Sequence, residues 1–179
     1  MNVGMRFTTR AETDYKIFFR ELALYLTKGS NAPCVVRGAS ALHLCYGSTR
    51  IPRVLALSVR KSIFSKWRIK RRLKRFCKEN NFKIKVKGRF FHGVSKYELE
   101  GPINLRLELI IDGSVESNEL FRSMGVGTFG LNSTAMMVFQ DFTVEDKLSH
   151  FSDLCYIISR FWSKLDKNLK GMLAHSIKF

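Results

Sequence analysis

The chain has 179 residues, 45% of them hydrophobic and 12% aromatic, with a formal net charge of +16. This length and apolar content support one well-buried core and exclude a disordered basic tail, which lacks the apolar residues to collapse. No segment is apolar for long enough to cross a bilayer, and Met1 to Arg10 has no apolar signal region, so the expected location is the cytoplasm and no membrane partner is expected.

The charge is unevenly placed. Residues 60–89 hold 14 basic side chains against one acid, Glu79, a net of +13, whereas the rest of the chain contributes only +3. The four cysteines, Cys34, Cys45, Cys77 and Cys155, form no C-x-x-C pair, so no metal site is expected. All four lie in apolar segments and are expected in the core.

Taken in order, Thr9-Arg10-Ala11-Glu12 fits a capping box that opens a helix. Phe18, Leu22, Tyr25 and Leu26 share one face of it, and Gly29 stops it. Cys34 to Val36 is a short buried strand, and Ala39 to Tyr46 a two-turn helix closed by Gly47. From Arg53 to Val59 the chain alternates, with Leu55, Leu57 and Val59 on one face and Val54, Ala56 and Ser58 on the other. Ser65 to Lys78 reads as a helix burying Ile69, Leu73, Phe76 and Cys77.

Phe82 to Lys87 alternates again, with Phe82, Ile84 and Val86 inward and Lys83, Lys85 and Lys87 outward. Val94 to Leu99 and Ile103 to Ile111 are further strands. The second has Leu105, Leu107, Leu109 and Ile111 on its core face and Asn104, Arg106 and Glu108 opposite. Gly125, Gly127 and Gly130 mark a loose region. A long helix is then expected from a cap at Thr143-Val144-Glu145-Asp146, with Leu148, Phe151, Cys155, Ile158, Trp162 and Leu165 as its buried stripe. A short helix follows Asp166. The expected fold is α+β, a mixed sheet flanked by helices with a C-terminal helical segment. The expected division is a core over residues 1–140 and a helical segment over 141–179.

The segment Val36-Arg37-Gly38-Ala39-Ser40-Ala41-Leu42, running through Tyr46-Gly47 to Arg50, resembles the opening of the AbiEii/AbiGii-type nucleotidyltransferases. These are toxin-like enzymes of bacterial abortive infection and toxin–antitoxin systems. Val144-Glu145-Asp146-Lys147-Leu148 and Ser152-Asp153-Leu154 are similar to two later motifs of that family. The resemblance implies a nucleotidyltransferase-like sheet, a phosphate cradle at Gly38 and Ser40, and two aspartates on the next strand. Those aspartates would hold two magnesium ions, with a third carboxylate from a neighbouring strand.

Aligned without a gap, the aspartate positions are Val54 and Ala56, followed by Ser58, and only Glu108 matches the third carboxylate. The resemblance therefore implies a site that has lost catalysis and needs no cofactor. Lys147 is either the family's phosphate-facing lysine or an exposed residue of a capped first turn. Asp153 is expected at the surface. An active enzyme with an altered site would need magnesium and would rely on Glu108, Asp112 and Lys147.

The basic segment suits a polyanion. Lys66, Arg68, Lys70, Arg71, Arg72, Lys74, Arg75 and Lys78 lie on one helix, and Lys83, Lys85, Lys87 and Arg89 on the strand after it. Like charges four apart, such as Lys66/Lys70 and Arg71/Arg75, destabilise the helix by about 0.2–0.5 kcal/mol each, which a negatively charged partner relieves. Nucleic acid, DNA or RNA, is the partner expected; an acidic protein within a larger complex is the alternative. Trp67, Phe90, Phe91 and His92 flank the patch, either as core residues or as rings that stack on bases.

Overall fold

The structure, a computed structural model, describes residues 10–29, 32–91, 93–112, 115, 120–145 and 148–176. The elements in order are α1 (Arg10–Leu26), β1 (Cys34–Val36), α2 (Gly38–Cys45), β2 (Leu55–Val59) and α3 (Ile63–Glu79). Then come β3 (Lys83–Phe91), β4 (Val94–Glu100), β5 (Asn104–Ile111), β6 (Leu120–Ser123) and β7 (Val126–Phe129). The chain ends in α4 (Leu131–Glu145), α5 (Leu148–Phe161), a 3-10 turn (Trp162–Lys164) and α6 (Lys167–Ser176). The seven strands form one sheet in the order β3-β4-β5-β2-β1-β7-β6. β2 runs parallel to β5 and β1 parallel to β7, while β1 and β2 are antiparallel, so the sheet is mixed.

Strand alternation assigns the two sheet faces. Leu55, Leu57, Val59, Leu99, Leu105, Leu107 and Leu109 meet Phe19, Leu22, Ala23 and Leu26 of α1 and Ile69, Leu73, Phe76 and Cys77 of α3 in one core. A second cluster joins Leu42 of α2 to Ala135, Val138 and Phe139 of α4, Leu154 and Ile157 of α5, and Leu169 and Leu173 of α6. A third, small cluster sets Met137 of α4 against Val35 and Phe129. The α3 stripe read from its 3.6-residue period is the buried one.

Two arginines hold the C-terminal end of α1. The Arg72 guanidinium donates to the carbonyls of Leu26 (3.0 Å) and Lys28 (2.9 Å). Arg122 donates to Thr27 (3.0 Å) and Gly29, bringing the β6–β7 hairpin to the same place. These carbonyls have no partner within the helix, and cations suit the negative end of its dipole. Gly29, with φ +97°, turns the chain away there.

Several expectations are overturned. The loose glycine region is the β6–β7 hairpin, whose strand β7 is buried throughout. The long helix from Thr143 is two helices. Thr143 lies in the last turn of α4, its hydroxyl donating to Gln140 (2.8 Å), so it caps nothing. Of the stripe Leu148, Phe151, Cys155, Ile158, Trp162 and Leu165, only Leu165 is buried and Ile158 packs at the edge of the second cluster; Leu148 is 84% exposed, and Asp153, Leu154 and Ile157 form the buried face of α5. A charged residue in the middle of the true inner face breaks its apolar signature. Val86 is exposed rather than inward, because β3 is the edge strand and its register with β4 shifts just after that residue. Cys155 is likewise exposed and Cys45 half-buried. The expected cap residue Thr9 and Asp146 lie outside the described residues, and the position of Arg89 is given by its backbone alone.

Burial of the His43 ring pushes its pKa below the ordinary 6.5, opposed by its bond to the Ser48 carbonyl and reinforced by the positive charges of Lys16 and Arg50. The acceptor is a carbonyl, so Nδ1 carries the proton (2.9 Å). A pKa lowered on folding means that the unfolded chain takes up the proton first. Stability is full above about pH 6.5 and falls as pH drops through that value toward the lowered folded pKa. Urea titrations at pH 7.5 and 5.5 should show this loss in the wild type and a smaller one in His43→Gln. Arg72→Ala should cost about 1.5–3 kcal/mol in the same assay, because two carbonyls lose a charged donor, whereas Lys74→Ala should stay within about 0.5 kcal/mol.

Candidate functional site

The cradle is built where β1 ends. Gly38 opens α2 with φ +53°, a conformation that favours glycine, and a Cβ there would lie 3.3 Å from Oδ2 of Asp141 on α4. A carboxylate of the protein therefore stands beside the positive end of the α2 dipole. The Ser40 hydroxyl donates to the Val54 carbonyl (3.1 Å) and accepts from the Ala56 N–H (3.0 Å). The Ala56 carbonyl in turn accepts from the Arg37 N–H (3.1 Å). The small residues of this motif thus fasten α2 to β2, and the serine hydroxyl is engaged with backbone.

β2 and β5 pair in parallel with Ala56 beside Glu108. Neighbouring strands lie about 4.8 Å apart, so acids at 56 and 108 would converge on one ion. Position 56 offers a methyl group instead. Glu108 itself is ion-paired to Lys96 of β4 at 3.0 Å. Asp112 is four residues beyond Glu108, about 13 Å along the strand, whereas a catalytic metal pair is about 3.5–4 Å apart. Asp112 is also occupied: Arg37 reaches it at 3.4 Å and the Ser58 hydroxyl donates to it at 3.3 Å. The residues present do not fit a magnesium pair, and among the described residues no three His, Cys, Asp or Glu side chains are grouped to hold a metal. Lys147, from the later motif, lies outside the described residues.

The remaining motif residues meet in space. Arg50 forms a two-pronged ion pair with Asp153, through Nε to Oδ1 at 2.7 Å and through Nη2 to Oδ2. Asp153 is 2% exposed and not the surface acid expected. The Tyr46 hydroxyl donates to the Phe129 carbonyl (2.7 Å), and the Tyr156 hydroxyl donates to the Tyr46 carbonyl (2.7 Å). Tyr46 and Arg50 thus bind the α2–β2 connection to β7 and α5. Their job here is architectural.

On α3, Arg68, Lys70, Arg71, Lys74, Arg75 and Lys78 are exposed, Lys66 and Arg72 half-buried. Arg75 pairs with Glu79 (2.8 Å), and Arg72 is turned onto α1. Among the described residues, Arg68, Lys74 and Lys78 make no ion pair or hydrogen bond. Trp67 is not a core residue: it is 58% exposed, with the Arg71 guanidinium 5.3 Å from its ring centroid. On the strand, Lys85 pairs with Glu100 (2.7 Å) and Lys87 with Glu98 (2.9 Å), and Glu98 also meets Arg106 (3.5 Å). These acids lie across the strand pair, more than ten residues away in sequence, which hid the neutralisation of Lys85 and Lys87. Lys87 and Arg106 hold the half-buried Glu98 carboxyl below its ordinary pKa, the Lys87 hydrogen bond being the larger cause. The side chains of Phe90 and Phe91, and His92 altogether, lie outside what is described.

Together, the mixed sheet, the parallel β2–β5 pair and the glycine-led α2 define a nucleotidyltransferase-like fold. Solved structures agree. Helicobacter pylori JHP933 superposes with a TM-score of 0.67 at 17% identity, over 91% of this chain and 72% of that one. A candidate nucleotidyltransferase of the same bacterium gives 0.67 at 20%, over 91% and 74%. The antibiotic-resistance factor ANT(2'')-Ia gives 0.54 at 12%, over 91% of each chain. No protein-family model and no curated protein matches the sequence. Among the described residues, no helix is long and apolar enough to cross a membrane.

If Arg50 and Asp153 hold α5 to the sheet layer, removing one partner strands a buried charge. Arg50→Ala, which leaves the buried Asp153 carboxylate without its cation, should cost about 3 kcal/mol by urea denaturation, and Asp153→Ala less, because the Arg50 left behind is the more exposed of the pair.

Proposed function

We propose that this chain is a degenerate nucleotidyltransferase of the AbiEii/AbiGii type that has lost transfer chemistry and binds nucleic acid in the cytoplasm. The carrying observation is the solvent face of α3, where Arg68, Arg71, Lys74 and Lys78 stand exposed with no carboxylate partner among the described residues. A helix stabilised for its own sake would mix signs. Phosphate contacts release counterions and give affinity without reading sequence. Lys85 and Lys87 contribute less, since each already has a carboxylate.

Loss of chemistry is supported by Ala56 beside a Glu108 already paired to Lys96. A role in a mobile-element or phage-defence complex follows from the resemblance by analogy.

Affinity for a mixed-sequence oligonucleotide should fall steeply between 50 and 200 mM salt. Combining Arg68→Gln, Arg71→Gln, Lys74→Gln and Lys78→Gln should flatten the log–log salt slope by about 3–4 and weaken binding evenly across sequences. An unchanged slope in a variant with wild-type thermal stability would remove α3 from the interface. Incubation with labelled nucleoside triphosphates, magnesium and total RNA should transfer no label. Transfer abolished by Glu108→Gln would show an active enzyme instead.

A further inference from the structure

The basic face of α3 is not only basic. Its first turns expose Ile63 (82%), Phe64 (76%) and Trp67. Phe64, Trp67, Arg71, Lys74 and Lys78 follow one another at intervals of three and four, so they lie along one side of the helix. An exposed aromatic end therefore runs directly into a row of cations. Burying these rings in the core was open to the sequence, since Ile69, Leu73 and Phe76 on the same helix are buried. They sit instead on the outer surface, where exposed apolar area is unfavourable unless a partner covers it.

We propose that this face is a platform for single-stranded nucleic acid, with bases stacked on Trp67 and Phe64 and the trailing phosphates on Arg71, Lys74 and Lys78. The proposal rests on the nucleic-acid reading above and names the strandedness of its ligand. Every base has a π-face, so aromatic platforms accept any sequence, but a duplex keeps its base faces stacked internally and cannot offer them. From Phe64 to Lys78 the helix rises about 21 Å, the length of about six nucleotides at 3.4 Å each. Arg71 lies against the Trp67 ring and can meet a phosphate from that position, joining the two kinds of contact in one place.

An anionic membrane is the other surface that takes aromatic and basic residues together. There the cations would ring the inserted apolar end. Here they lead away from it along the helix axis, and the inner stripe of α3 is committed to the core.

The test uses the full chain carrying Trp162→Phe, so that Trp67 is the sole tryptophan. Its fluorescence is titrated with a 12-nucleotide single strand of mixed sequence, the matching 12-base-pair duplex, and phosphatidylglycerol vesicles. The single strand should quench Trp67 and bind at least tenfold more tightly than the duplex. Trp67→Ala, followed by anisotropy of a labelled strand, should weaken single-strand binding about tenfold and leave duplex binding unchanged, while Trp67→Phe restores most of the affinity. Equal loss for both ligands, no loss for either, or a duplex preference overturns the stacking proposal. A blue shift and co-sedimentation with vesicles, without oligonucleotide binding, assigns the face to a membrane and overturns it too. The α3 glutamine variant separates the two levels. If it loses oligonucleotide binding while Trp67→Ala does not, the nucleic-acid reading stands and the platform falls; if neither affects binding, both fall.

Discussion

Asp153 is a carboxylate on the buried face of a helix, a placement costing several kcal/mol unless a cation and hydrogen bonds replace its water. Arg50 does so through both oxygens, from a loop more than a hundred residues earlier. The pair fixes the depth and rotation of α5: turning the helix to bury Leu148 and Phe151 would carry Asp153 away from Arg50, its cation partner among the described residues. Around this contact, Leu154 and Ile157 pack with Leu42 of α2 and with α4, and the Tyr156 hydroxyl closes on Tyr46. The C-terminal helices and the α2 turn are therefore one unit. Residues that resemble a catalytic signature serve here to hold the fold shut.

The sheet and its α3 cover were legible because their residues obey a single period. Leu55, Leu57 and Val59 alternate, Ile69, Leu73 and Phe76 recur at helical spacing, and no charged side chain interrupts either set. The errors cluster where a long-range polar contact sets the buried face. On α5 the most apolar stripe is the outer one, since the inner stripe contains an acid whose cation is remote in sequence. The β6–β7 hairpin was obscured by glycines, which look like loop. Gly127 sits in the buried strand β7 beside Thr27 and Val35, and its N–H donates to the Thr27 hydroxyl (3.1 Å). Such close approaches are tertiary facts, invisible to a window of neighbours.

At the candidate site the sequence showed which side chains stand at positions 54, 56 and 58 but not which contacts the neighbouring polar groups make. The backbone frame persists: Ala56 stands beside Glu108, and Gly38 begins α2 in a left-handed conformation. Within that frame the polar groups now satisfy one another. Ser40 holds both sides of residue 55, Lys96 takes Glu108, and Arg37 and Ser58 take Asp112. A site awaiting charged ligands would leave charge unmet. This one leaves little.

The opposite holds on α3, where several cations have no carboxylate partner among the described residues. The β3–β4 hairpin follows α3 and is also basic, with five lysines or arginines against eight on the helix, yet the hairpin carries its own acids. Glu98 and Glu100 are placed by register to meet Lys87 and Lys85 diagonally across the strands. The same chain could have supplied acids to α3 at three- and four-residue spacing and supplies one, Glu79, at its last turn. Repulsion along the helix is thus tolerated, offset by the buried stripe beneath it and by Arg72 turned onto α1. Uncompensated charge beside exposed aromatic rings, on a helix the core already holds rigid, is the arrangement in which a flexible polyanion with stackable bases gains most on binding. The helix backbone is already ordered, and binding relieves its self-repulsion.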